Sequence, residues 1–184
     1  NLISALPFRG GESAGKLRLN NYLFETKNAS QYKQTRNGLL GKDYSTKFSL
    51  WLAHGALSPT MIMLSLKAYE EEYGANKSTY RIFFELLWRD FFRHAAKYYK
   101  DQFFNKQGVQ ENNWDYKESD IAFKEWAFAN TRKDFVNANM VELNTTGFMS
   151  NRGRQNVASY LVHDQYQDWR RGAAWFEHHL LDYD

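Results

Sequence analysis

The chain has 184 residues, of which 43% are hydrophobic and 24% charged. That is enough for one domain that buries roughly 70% of its unfolded surface without disulfide or metal staples, and it excludes disorder. The absence of cysteine excludes disulfide scaffolds, thiol nucleophiles and Cys-ligated zinc, and 24 basic against 21 acidic residues leave a charge of +3, which permits nucleic-acid binding without requiring it. No apolar run approaches the ~20 residues of a membrane span, and residues 1–10 lack the basic-then-apolar layout of a signal peptide, so an intracellular protein off the membrane is expected. Aromatic residues reach 17% and there are only two prolines, far below the usual ~5%. Helices can therefore run uninterrupted, with large side chains for cores or stacking.

Helical spacing dominates along the chain and strand alternation is hard to find. A first helix is predicted over 13–26, with Leu19, Tyr22 and Leu23 on one stripe. Residues 37–47, with two glycines and no period, read as a loop. Ser58-Pro59 combines an N-cap with a proline in the first turn, and Gly74 is a natural stop, which predicts a helix from there to Tyr73. A long helix over about 78–98 carries Phe83, Leu87 and Phe91. It is expected to be the most buried element, because its aromatics occupy more than one face. Residues 101–117 look irregular, and helices over 119–129 and 135–146 follow. Ser150 can cap a helix to about 164, and Asp168 another over about 169–182. The expectation is one all-α domain over 1–184 with roughly eight to ten helices. It ends at Leu-Leu-Asp-Tyr-Asp inside an element, as a fragment of something longer would.

Four places could carry chemistry. Glu85, Trp88, Arg89 and Phe92 fall at i, i+3, i+4 and i+7, so one helical face offers a carboxylate, an indole and a guanidinium. That set could grip a planar polar ligand, or it is a Glu85–Arg89 pair beside a half-buried Trp. Asn151, Arg154, Gln155 and Ala158 form a polar stripe next to Gly153. The glycine is either tolerated or required by a close approach to the backbone. The loop Asp43-Tyr-Ser-Thr-Lys-Phe-Ser49 has hydroxyls, a lysine and backbone N–H groups suited to phosphate oxygens, although it matches neither the Walker nor the GxGxxG pattern. Asp182 and Asp184 supply too few oxygens for a hard cation. The five histidines form no HxxxH or HExxH, so a metal site is not expected.

In this order the pieces resemble the FAD-binding helical domain of the photolyase/cryptochrome family, most closely its cryptochrome-DASH branch. The resemblance runs from Phe8 to Asp184. It rests on Phe8-Arg-Gly-Gly-Glu12, Tyr44-Ser-Thr-Lys-Phe-Ser49 with Trp51-Leu-Ala and Gly55-Ala-Leu-Ser-Pro59, Glu85-Leu-Leu-Trp-Arg-Asp-Phe-Phe92, Thr146-Gly-Phe-Met-Ser-Asn-Arg-Gly-Arg-Gln155, Asp168-Trp-Arg170 and Leu180-Leu-Asp-Tyr-Asp184.

The resemblance implies U-shaped FAD in a helical bowl and light-driven splitting of cyclobutane pyrimidine dimers in DNA, here read as single-stranded. Tyr32, Ser45, Thr46, Lys47, Phe48 and Ser49 would then hold the FAD phosphates and ribose, and Arg89 would line the pocket. Arg154 and Asp182 would pair beside the isoalloxazine, and Asp184 would accept from the flavin N3–H. Glu85, Trp88, Asn151 and Gln155 would face the flipped-out dimer, with Gln155 standing where classical photolyases carry Met. Trp114 and Trp169 match the outer and middle positions of the family's three-tryptophan relay. The innermost Trp, an Asn by flavin N5 and an antenna-bearing α/β domain would lie outside this sequence. FAD is therefore expected to bind weakly or not at all here, whereas the full-length relatives would be FAD-binding monomers.

Three departures stand inside the match: Leu50 replaces a usual Pro, Arg132-Lys-Asp134 a usual Gly-Tyr-Pro, and Asn137 a usual Asp. They leave open a non-catalytic module that senses blue light or binds nucleic acid without repair. The Arg154–Asp182 pair is expected even without flavin, at N–O distances near ~2.8 Å, because Asp182 on the last helix would oppose the helix dipole unless partnered.

Overall fold

A computed structural model describes residues 4–111 and 115–184. Among the described residues there are nine α-helices and no strands, as helical spacing and scarce proline predict. They fall into two compact units: Leu6–Phe92 with Asp184, and Arg93–Tyr183 with the amino-terminal residues up to Ala5.

The Leu6–Phe92 unit begins with α1 (Glu12–Asn20), which widens into a π-helical turn over Asn21–Glu25 closed by Thr26 N–H donating to Asn21 O at 2.9 Å. A 3₁₀ turn, Asn28–Gln31, leads into the short α2 (Tyr32–Thr35). The expected loop follows and ends at α3 (Ser49–Leu52). The helix α4 (Pro59–Tyr73) has the predicted boundaries. Ser58 Oγ accepts from Met61 N–H at 3.1 Å, and Gly74 leaves the helix at φ +86°.

The next helix, α5 (Lys77–Tyr99), opens on a cap the sequence reading missed. Asn76 Oδ1 accepts from the N–H groups of Ser78 (2.7 Å) and Thr79 (3.1 Å), while Thr79 Oγ1 accepts from Asn76 N–H. Tyr22, Leu23, Trp51, Leu57, Ile62, Leu66 and Ile82 form the core of this unit.

The expectation that α5 is the most buried element is wrong. Only Ser78, Thr79, Ile82 and Leu86 of its 23 residues are buried, whereas the 13-residue helix Asp134–Thr146 also buries four. The reason is geometric. Ser78, Ile82 and Leu86 recur every fourth residue and make one narrow stripe. Leu87, Trp88, Phe91 and Phe92 lie off that stripe and are exposed.

In the other unit a 3₁₀ turn, Lys100–Phe104, precedes α6 (Asp120–Ala127), α7 (Asp134–Thr146), α8 (Asn151–Ser159) and α9 (Trp169–His179). Ser119, Ser150 and Asp168 cap their helices through their side chains. The helix predicted from Ser150 to about 164 is α only to Ser159, then π over Tyr160–Asp164, with Gln165 N–H donating to Tyr160 O. Trp126, Met140, Leu143, Met149, Val157 and Leu161 form the core, and Trp126 Nε1 donates to Val157 O at 2.8 Å.

Gly153 is explained by packing rather than by a ligand. A Cβ there would lie 2.1 Å from Asn139 Oδ1 and 2.9 Å from Met149 Cγ. The close approach that the sequence left open is thus made by α7.

Two of the departures also have local roles. Asn137 Oδ1 accepts from Thr131 N–H (2.9 Å) while its Nδ2 donates to Thr131 O (2.7 Å), and an Asp could not make the second bond. Leu50 N–H reaches Lys47 O at 3.4 Å, which a proline would lack. No helix among the described residues is long and apolar enough to cross a membrane.

Candidate functional site

The loop before α3 is organised from within by Arg18, a residue the sequence reading passed over. Its side chain is 3% exposed. Arg18 Nε donates to Thr46 O (3.1 Å), Nη1 to Asp43 Oδ1 (2.8 Å) and Asn21 Oδ1 (3.4 Å), and Nη2 to Lys42 O (2.9 Å) and Ser45 O (3.2 Å). The guanidinium carbon lies 4.9 Å from the ring centroids of both Phe8 and Tyr22. The signal was present: Gly15, Arg18, Leu19, Tyr22 and Leu23 form the buried stripe of the first helix, and an arginine on such a stripe needs internal acceptors.

Along the loop the predicted phosphate ligands differ in character. The hydroxyls of Ser45 and Ser49 make no hydrogen bond among the described residues, while Thr46 Oγ1 accepts a long bond from Phe48 N–H at 3.5 Å. Phe48 points inward, 3% exposed, edge-on to Tyr22. Lys47 adopts φ +62°, and its ammonium sits 3.1 Å from the ring centroid of Tyr44. Side chains 47 and 48 are thus turned to the protein, and what this stretch can offer a phosphate is hydroxyls and backbone N–H groups. Tyr32 is buried, and burial pushes its hydroxyl up to about 12, with Arg36 pulling the other way and Glu85 adding to the rise.

On α5, Glu85 does not pair with Arg89 as one sequence reading had it. Glu85 Oε1 accepts from Arg81 Nε at 3.0 Å and from Arg36 Nη1, while Arg89 pairs with Asp184. Trp88 is 42% exposed and stacks on Phe92 (5.6 Å between centroids, 28° between planes), with Phe84 and Phe91 edge-on. Its indole thus lies at the surface of its unit on an aromatic backing.

In the Arg93–Tyr183 unit, α8 presents Asn151 and Gln155 to solvent, neither side chain hydrogen-bonded among the described residues. Arg154 donates through Nη2 to both oxygens of Asp182 (2.8 and 3.1 Å) and through Nε to Met149 O (2.9 Å). The Asp182 side chain is 1% exposed, that of Arg154 24%.

The pair exists at the expected distance, but the reason given for it needs correction. The last helix stops at His179, so Asp182 lies beyond its end rather than on it, and its position is not set by the helix. Gly147 places it instead. At φ +71° Gly147 ends α7, and its carbonyl accepts Leu181 N–H at 2.9 Å. A Cβ on it would strike Leu181 Cγ (2.9 Å) and His179 O (3.0 Å). Trp169 is half-buried, with Nε1 donating to Lys106 O at 3.2 Å, and Trp114 lies outside the described residues.

The predicted residues therefore divide. Tyr32, Ser45–Ser49, Glu85, Trp88, Arg89 and Asp184 belong to one unit, and Asn151, Arg154, Gln155, Trp169 and Asp182 to the other. Besides Arg18, the sequence reading missed Arg36 on Glu85, for which nothing short of the tertiary contact, 49 residues apart, gives a signal.

Residues 82–184 match the FAD-binding domain of DNA photolyase, and the chain belongs to the photolyase/cryptochrome family. More particularly, it is a homologue of the cryptochrome-DASH proteins. It is 51% identical over 181 residues to cryptochrome DASH of Synechocystis, covering 98% of this chain and 37% of that protein, and 51% identical to that of Xenopus laevis, covering 35% of it. The Arabidopsis thaliana cryptochrome DASH, described as chloroplastic/mitochondrial, is 49% identical over 177 residues, covering 96% of this chain and 31% of its own.

Among solved structures, Synechocystis cryptochrome superposes with a TM-score of 0.96 at 51% identity, covering 98% of this chain and 38% of that one. A bacterial class III photolyase from Agrobacterium tumefaciens superposes with a TM-score of 0.86 at 26% identity, covering 97% and 36%. The chain thus spans about a third of the length of these relatives.

Proposed function

We propose that this chain is the FAD-binding part of a cryptochrome-DASH-type photolyase that splits cyclobutane pyrimidine dimers in single-stranded DNA under blue light. The observation that carries the FAD reading is the loop at 42–49. Two of its hydroxyls, on Ser45 and Ser49, have no partner within the described chain, and its backbone is fixed by a saturated, buried arginine. Preorganised neutral donors of this kind suit a diphosphate.

When bound, FAD would supply the photoexcited electron that the dimer takes up and returns as its cyclobutane ring opens. The chain's own residues bind and orient. Ser45, Thr46 and Ser49 donate to phosphate or ribose oxygens. The Arg154–Asp182 pair keeps both groups in fixed positions, so that little reorganisation is needed as charge moves. Trp88 offers an exposed, backed indole on which a base taken out of the strand can stack, and in the other unit the solvent-facing amides of Asn151 and Gln155 suit hydrogen bonds to nucleic acid. Glu85 takes two guanidinium groups on one oxygen, which leaves its second oxygen as an acceptor for such a ligand.

The visible spectrum of the purified chain, followed by titration with FAD, tests the cofactor. Weak binding is expected, seen as a saturable change in the flavin bands at ~370 and ~450 nm during the titration. Illumination of a dimer-containing oligonucleotide then tests repair. No saturable uptake of flavin in the titration would overturn the FAD reading, and bound flavin with no light-dependent loss of dimers would overturn the repair reading.

A further inference from the structure

We infer that Arg18 is a positioning residue for diphosphate binding: it turns the carbonyls of the loop at 42–46 inward and so aims the loop's N–H groups at the cofactor. The inference rests on the reading that this loop holds the FAD phosphates, and it extends that reading to a residue that would not touch FAD.

A guanidinium has five N–H groups, and Arg18 spends all five inside the protein, three of them on the carbonyls of Lys42, Ser45 and Thr46. In a trans peptide the C=O and the following N–H point in opposite directions. There is no cis peptide among the described residues, so each carbonyl drawn to Arg18 sends its peptide's N–H away from it. These are the N–H groups of Asp43, Thr46 and Lys47. Two of them belong to consecutive residues, and Lys47 is left-handed, the backbone pattern from which anion-binding nests are made. Ser45 and Thr46 also carry their hydroxyls on this stretch.

The guanidinium itself cannot reach an anion. It is enclosed, sandwiched between Phe8 and Tyr22, and its charge is met by Asp43. Its place is therefore structural toward the loop and indirect toward the phosphate. Lysine cannot replace it, because a point-like ammonium with three donors cannot span three carbonyls and a carboxylate at once.

The test compares the 184-residue chain with Arg18→Lys and, because a buried arginine can be needed for folding, with Asp43→Asn, whose side chain is 41% exposed. FAD affinity is measured by fluorescence titration, and the visible band of the flavin is recorded at saturation. Losing aligned N–H bonds to a charged phosphate predicts a roughly 10- to 100-fold weaker FAD affinity for Arg18→Lys and about 3- to 10-fold for Asp43→Asn. The saturated band shape of both should equal that of the parent, because the isoalloxazine end is untouched. General loosening of the fold would alter the band as well. Parent-like affinity in Asp43→Asn together with parent-like affinity or misfolding in Arg18→Lys overturns the inference, as does a changed band at saturation. If the parent chain takes up no FAD at all, the reading of the loop fails first and the inference goes with it, an outcome told apart by the parent titration alone.

Discussion

Cutting the Arg154–Asp182 pair from its two sides should not cost the same. Replacing Arg154 by Met strands Asp182, whose side chain is 1% exposed and has no other hydrogen bond among the described residues. A buried ion that loses its partner costs about 3–5 kcal/mol, and the Nε bond to Met149 O is lost too. Replacing Asp182 by Asn strands a guanidinium that is 24% exposed, keeps its bond to Met149 O and can still donate to the Asn oxygen. The cost should then be that of one charge-assisted bond, about 1–2 kcal/mol. The expected gap of about 2 kcal/mol is a factor near 30 in the opening equilibrium.

Native-state hydrogen exchange at the Val157 and Leu161 amides is the suitable assay. Both residues lie in the core of the unit that holds the pair, whereas a global melt would mix two cores. If Asp182→Asn proves the costlier change, or if both stay below about 0.5 kcal/mol, the desolvation argument is wrong.

Gly153→Ala should destabilise the protein by about 1–3 kcal/mol despite the better helix propensity of alanine, because its Cβ would lie 2.1 Å from Asn139 Oδ1; a urea midpoint equal to the parent's would contradict this. At Asp168 burial disfavours the charged form, yet the hydrogen bonds and charge of Arg170 hold the carboxyl below its ordinary value. The stability it contributes is therefore complete above the ordinary carboxylate value of about 4 and is lost as pH falls through the lowered folded value. A melting series between ~pH 3 and ~pH 7 should show a shallower acid decline in Asp168→Asn, which also weakens the α9 cap. Trp88→Ala should weaken binding of dimer-containing single-stranded DNA by about 1–3 kcal/mol and leave undamaged DNA nearly unaffected in anisotropy titrations, since phosphate contacts dominate there; equal losses on both would make Trp88 a packing residue only.

The departures from the family pattern also lose weight as evidence of decay. Asn137 and Leu50 each make a backbone bond that the usual residue could not, so these positions are locally accommodated. They do not by themselves favour a module without activity.

What the sequence determined by itself is what local interactions decide. Ser58, Ser150 and Asp168 announced their helices because a cap acts on the N–H two or three residues ahead, and Gly74 ended its helix because a positive φ carries no Cβ penalty at glycine. The motif residues of α5 and of α8 were legible as ordered types on helical spacing, and those of the loop through the resemblance of their order to the family's segment. The tertiary structure alone decided the partners. Arg18 meets Lys42, Asp43, Ser45 and Thr46 across 24 to 28 residues, Arg36 meets Glu85 across 49, and Asp182 reaches Arg154 through a turn that hangs on the Gly147 carbonyl. It also decided which of several apolar stripes on α5 is covered, since periodicity marks every face that could be buried but not which one is. A guanidinium or a carboxylate has the same local propensity whether it faces water or a carbonyl, and its partner is set by where the chain brings acceptors together.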